Sequence, residues 1–192
     1  MTTVATQDVL DLYRRATDEF ATRVHLVGDR WTAPTPCDGW DVRALVHHVV
    51  EEQRWAPPLF AGATIAEVGD RFAGDLLGAD PVGTFEEAHR EALDAAAAPG
   101  ALDRIVHLSF GDVDGAEYAM QLAADHLIHA WDLAVAIGAD PALDAEAVAT
   151  VRGWFEPVEH LYRQAGAIGP RVELPDSADP QQQLLAMFGR QS

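Results

Sequence analysis

Apolar residues recur at spacings of three and four along most of this chain, and that rhythm constrains its fold more than any other feature. Such spacing aligns one face of an α-helix, whereas a half-buried strand alternates with period two. In residues 6–26 the stripe is Val9, Leu10, Tyr13, Ala16, Phe20 and Val24. A second segment follows Asp41, a good N-cap residue, and runs to about Trp55, where the pair Pro57 and Pro58 ends or kinks it. A third is expected over 84–97, with Thr84 and Glu87 spaced as a capping box. A fourth spans 116–137 and stops at Gly138, a natural C-cap. A fifth spans 144–164, with Val148, Val151, Phe155, Val158 and Tyr162 as core candidates. A short last helix is announced by Asp179 as N-cap, Pro180 at the first helical position and Gln182 three residues after the cap.

The connections fit the same picture. Residues 31–40 carry two prolines and a glycine and must be a loop. Residues 62–80 are glycine-rich and read as an irregular connection with one short helix. Residues 103–113 alternate weakly, as a short strand or an extended loop. With no strand–helix alternation, the expectation is an all-α helical bundle, one domain over residues 1–192.

Charge narrows the function. Thirteen basic residues against 31 acidic ones give a net charge of −18 over 192 residues. Such a body repels phosphate backbones and anionic headgroups, which argues against nucleic-acid and membrane-surface roles. The single cysteine, Cys37, excludes an internal disulfide and a cysteine-rich metal site. Every basic residue is an arginine, so lysine nucleophiles and Schiff bases are excluded. The N-terminal twenty residues lack a secretory pattern and no apolar run is long enough to span a bilayer, so a cytoplasmic location is expected.

Chemistry concentrates in the fourth segment. Asp125 and His129 are four apart and share one side of a helix, in a row with Leu122 and Leu133. A carboxylate among leucines is costly unless a cation or hydrogen bonds compensate it. His126 and His129, three apart, could also share an ion. A third ligand must come from another helix, and the doublet His47 and His48 can supply it. Neighbours on a helix point about 100° apart, so only one faces inward. His48 lies on the side of Leu45 and Val49, and His47 toward the flank. The favoured set is His48, Asp125 and His129, suited to zinc, or to nickel, iron or manganese, with coordination positions left for water or substrate. His25, His89, His107 and His160 have no partner at metal spacing. The pair Glu51 and Glu52 reads as a solvated face, and Cys37 as a small buried side chain or a thiol activated near a helix N-terminus.

Three stretches carry a likeness to a known family: TPCDGWDVRALVHH at 35–48, DHLIHAWDLA at 125–134 and DPQQQLLAMFGR at 179–190. Together they resemble the metal-binding domain of mycothiol-dependent maleylpyruvate isomerase, and more closely the small single-domain members of that group within the DinB-like superfamily. The resemblance implies a four-helix bundle with an up-down-down-up path and a divalent metal, usually zinc. The family's first ligand, the histidine eight after the motif tryptophan, falls on His48. Its acid and histidine four apart on a later helix fall on Asp125 and His129. The isomerase has glutamate where this chain has Asp125, one methylene shorter, and carries a C-terminal domain with no counterpart here.

Two functions follow as expectations. In the first, the metal lowers the pKa of a low-molecular-weight thiol such as mycothiol, and the thiolate adds to a small electrophile. This describes a thiol S-transferase or a thiol-dependent isomerase. In the second, the bundle binds metal without turnover, as a stress-related or structural protein. An open coordination position favours the first, and a fourth protein ligand such as His126 or His47 favours the second. Acidic helical bundles commonly dimerise, so a homodimer is a further expectation.

Overall fold

A computed structural model describes residues 6–191. The chain is mostly helical. In order it forms α1 (Thr6–Val24), α2 (Val42–Phe60), α3 (Ile65–Val68), α4 (Pro81–Ala97), β1 (Ile105–Leu108), β2 (Gly111–Asp114), α5 (Gly115–Ile137), α6 (Ala145–Phe155), α7 (Glu159–Gln164) and α8 (Pro180–Met187). The four long helices pack in a ring: α1 against α5, α2 against α4, and α1–α4 and α2–α5 closing it. The stripes meet inside. Phe20 and Phe85 are fully buried with ring centroids 5.5 Å apart, and Leu12, Leu45, Leu127 and Leu133 fill the layers around them. The pair α6 and α8 packs together beside α5. No helix among the described residues is long and apolar enough to cross a membrane.

Three boundaries differ from the sequence expectation, each for a local reason. Helix α2 runs through Pro57 and Pro58 to Phe60. Two missing N–H donors near the end of a helix cost less than losing the burial of Leu59 and Phe60, which the last turn provides. Helix α4 starts at Pro81, not Thr84. Asp80 accepts from Gly83 N and Pro81 takes the first position, while the Thr84 hydroxyl donates to Leu77 O. The fifth segment breaks into α6 and α7 around Pro157, which has no N–H to continue the helical ladder past Glu156.

The weakly alternating stretch is a β-hairpin. Val106 pairs with Val113 and Leu108 with Gly111, so β2, which directly precedes α5, is the partner strand. The chain passes from β2 into α5 at Gly115, where it lies against the backbone of 101–102: Gly115 N donates to Arg104 O and Ala116 N to Leu102 O, both at 2.8 Å. A Cβ at Gly115 would lie 2.1 Å from Ala101 O. This junction fixes where α5 begins, and with it the height at which Asp125 and His129 enter the bundle. Gly115→Ala should therefore destabilise the protein by about 1–3 kcal/mol, the usual cost of overpacking, read from urea denaturation. A loss below about 0.5 kcal/mol would show that the junction gives way freely.

Candidate metal centre

Helices α2 and α5 bring three donors together. His48 Nε2 lies 3.5 Å from Asp125 Oδ2, and His129 Nε2 lies 3.4 Å from Asp125 Oδ1. The two imidazoles are nearly perpendicular, with centroids 5.0 Å apart. One ligand atom from each of His48, Asp125 and His129 fits within a 4.8 Å cluster. His47 turns the other way, its Nε2 2.8 Å from Gly74 O in the loop before α4.

The donor set fits a divalent cation on three observations. Asp125 Oδ2 is buried and has no hydrogen-bond partner among the described residues, the kind of orphan a cation would satisfy. Each Nε2 lies 3.4–3.5 Å from one of the two Asp125 oxygens, a spacing at which ligands with metal bonds of about 2.1 Å can meet one ion. Finally, His129 Nδ1 lies 2.9 Å from Asp132 Oδ2. A proton on Nδ1 donated to that carboxylate leaves the Nε2 lone pair facing Asp125, the tautomer a ligand needs.

Electrostatics follow the geometry. Burial raises the Asp125 carboxyl, but His129 and His48 outweigh it and hold the acid well below its usual range. Burial pushes His129 down, yet Asp125, Asp132 and Cys37 hold it well above the usual imidazole value. His48 is raised in the same way: Asp125 overcomes desolvation.

Behind His129 lies a second polar group that sequence reasoning missed. Asp132 is fully buried, one turn further along α5. It receives Arg190 Nε at 3.0 Å and Arg190 Nη2 at 2.9 Å. Cys37 donates its thiol to Asp132 Oδ2 at 3.2 Å and accepts from Arg190 Nη2 at 3.3 Å. Cys37 is thus neither an inert core residue nor at a helix N-terminus. It is held by the loop before α2, where Thr35 Oγ1 accepts from Cys37 N and Trp40 N donates to Cys37 O. The spacing of three from His129 to Asp132 was readable, and Cys37, Asp132 and Arg190 all lie in the three family-like stretches, but nothing in the sequence joined Arg190 to Asp132, 58 positions away. Cys37, His129 and Asp132 form a second cluster with ligand geometry, and there the Arg190 guanidinium already stands as the cation.

Two further residues border the donors, and one of them, Glu52, differs from expectation. His126 faces the core, its edge toward Tyr13 and Phe20. Its Nδ1 lies 2.6 Å from Leu122 O and its Nε2 3.2 Å from Gln53 Nε2. Both nitrogens are engaged, so it offers no ligand here, and burial lowers its pKa to about 4. Glu52 is half-buried, not solvated. Burial and the nearby Asp125 raise its carboxyl to about 7.

A cleft of about 460 Å³ opens beside the donors. Trp40, Trp154, Phe155, Tyr162 and Phe188 line it, with Arg190 at its edge. The Trp40 ring sits 5.0 Å from that of His48 and 6.0 Å from that of His129.

In metal-free protein, His126 and Glu52 pull stability in opposite directions. His126 titrates near 4 when folded and near 6.5 when unfolded, so acidification across that window favours the unfolded chain. Glu52 titrates near 7 when folded and 4.5 when unfolded, so its contribution fades as pH rises across that window. The two nearly cancel where they overlap. Glu52→Gln removes the second: in the presence of chelator, stability should fall on acidification below 6.5, by about 1.4 kcal/mol per pH unit through His126, with His89, which burial also holds low, adding to it. A flat profile in that variant, or one that vanishes altogether when His89→Gln is added, would show that His126 is not held neutral.

Comparison with known proteins agrees with the likeness carried by the motifs. Two Mycobacterium tuberculosis proteins, uncharacterized protein MT0763 of strain CDC 1551 / Oshkosh and uncharacterized protein Rv0738 of strain ATCC 25618 / H37Rv, are each 33% identical over 193 residues. Each alignment covers 95% of this chain and 98% of the relative. No solved structure matches the chain significantly. Residues 13–134, which include His48, Asp125 and His129, match the mycothiol maleylpyruvate isomerase N-terminal domain, and the chain belongs to that family.

Proposed function

We propose that His48, Asp125 and His129 bind a divalent cation, zinc best suiting the set, and that the protein is a metal-dependent thiol S-transferase or thiol-dependent isomerase. Its substrates are a low-molecular-weight thiol such as mycothiol and a small electrophile. The observation that carries the reading is the buried oxygen of Asp125 that has no hydrogen bond among the described residues, on a carboxylate flanked by two imidazoles beside an aromatic-lined cleft. The family match supports it, since that family is named for a mycothiol-dependent isomerisation. The up-down-down-up path belongs to the same reading, supported by the pairing of α1 with α5 and α2 with α4.

A bound divalent cation would supply Lewis-acid stabilisation of a thiolate at neutral pH. The chain's own residues do the rest. Asp125 contributes the negative charge that holds the cation, and His129, locked by Asp132, presents Nε2 without rotating. Trp40, Trp154, Phe155, Tyr162 and Phe188 give the cleft an apolar lining beside the donors. Neither His47 nor His126 adds a fourth protein ligand, which leaves positions for the thiol and favours an enzyme over a closed structural site.

Metal bound only to the folded state should stabilise it by about 2.7 kcal/mol at a hundredfold excess over the dissociation constant. The apo bundle retains its own apolar core and should stay folded. Melting curves with and without chelator test this. Asp125→Ala and His129→Ala should each abolish the metal-dependent shift, while His47→Ala should leave it intact. Both imidazoles hold protons more tightly than usual in the apo protein, so affinity should rise with pH through neutrality. Purified protein that binds no divalent metal, or whose metal ignores added thiol, would overturn the proposal.

A further inference from the structure

We infer that Arg190 is a positioning residue for the metal centre: by filling the cation position between Cys37 and Asp132, it fixes the orientation of His129 and confines the metal to the Nε2 side. This rests on the reading of His48, Asp125 and His129 as ligands and goes beyond it. His129 stands between two clusters with ligand geometry. Its Nε2 faces Asp125 and His48, and its Nδ1 faces Asp132 and Cys37. The second cluster holds a thiol, an imidazole nitrogen and a carboxylate, a soft donor set attractive to zinc and cobalt. What distinguishes the two is their cation. The first has an orphaned carboxylate oxygen, whereas in the second both Asp132 oxygens accept from Arg190.

The arginine suits this place. Its fork takes Asp132 with two nitrogens while Nη2 also reaches Cys37 Sγ and Nη1 donates to Phe188 O. Asp132 has no solvent exposure, so its charge has to be met inside the protein. Without Arg190, Asp132, Cys37 and the Nδ1 edge of His129 would offer a vacant anionic pocket to any metal entering the cleft. Binding there forms a metal–sulfur bond, with the Cys37 proton released to solvent. The Nδ1 hydrogen bond that orients His129 is lost in the same event.

Cobalt(II) reads the two arrangements apart, because a cobalt–thiolate bond adds a charge-transfer absorption in the near ultraviolet that nitrogen and oxygen ligands lack. Wild-type protein loaded with one equivalent of cobalt should show no such band. R190Q should show it, and R190Q/C37S should lose it again. R190K, which keeps a cation in place, should not show it. With the thiol absent from both, R190Q/C37S should bind cobalt about tenfold or more weakly than C37S alone, the usual cost of losing support behind a ligand. Melting temperatures establish that each variant is folded, and R190K carries the test should R190Q fail to fold, since a thiolate band in R190K overturns the inference. So does a thiolate band in wild type, its absence from folded R190Q, or equal affinity in the two Cys37→Ser proteins. Wild type that takes up no cobalt overturns the metal centre itself and this inference with it.

Discussion

A carboxylate inside a helical bundle must have its charge met, and around Asp125 that requirement organises two helices. Its immediate neighbours are imidazoles from α2 and α5, and in the metal-free chain they meet the charge by holding protons. That arrangement is incomplete, because one buried oxygen has no hydrogen bond. The same interior holds Asp132 two turns further along α5, fully buried and satisfied by an arginine from the far end of the described chain. Two acids on one helix thus have their charge met in different ways: Asp132 by an arginine, and Asp125 by two imidazoles.

The fold's long elements were legible because amphipathic periodicity and caps act locally. Gly138, in a left-handed conformation with φ 66°, ends α5 where the sequence indicates, and Asp179 with Gln182 forms the capping box that opens α8. Misreadings occurred where tertiary burial outweighs a local signal. Pro57 and Pro58 look like a stop, yet Leu59 and Phe60 are worth keeping in the helix. The hairpin was ambiguous because a strand is defined by its partner, and β2 reads Gly-Asp-Val-Asp, a polar stretch leading straight into a helix.

The donor set was accessible to sequence reasoning because its members share helix faces at spacings of three and four. Its surroundings were not. Cys37 reaches Asp132 and His129 only because the loop 33–42 folds back on itself through the bridge between Pro34 and Asp41. Glu52 was assigned to solvent because paired acids usually are. It sits one turn after His48, and this places it within the field of Asp125. His126, adjacent to Asp125 in sequence, is carried 100° around the helix and into contact with Gln53, Tyr13 and Phe20.

The two histidines of the centre do unequal work, and this bears on how the site can be altered. His48 offers one nitrogen to Asp125 and leans on Trp40. His129 uses both ends of its ring at once, Nε2 toward Asp125 and Nδ1 toward Asp132. A planar ring with a lone pair on one edge and an N–H on the other, held rigidly apart, has no equivalent among the other side chains. On the proposed reading of the site as a metal centre, its donor set has latitude at His48, where a carboxylate or thiol can take the same place, and almost none at His129.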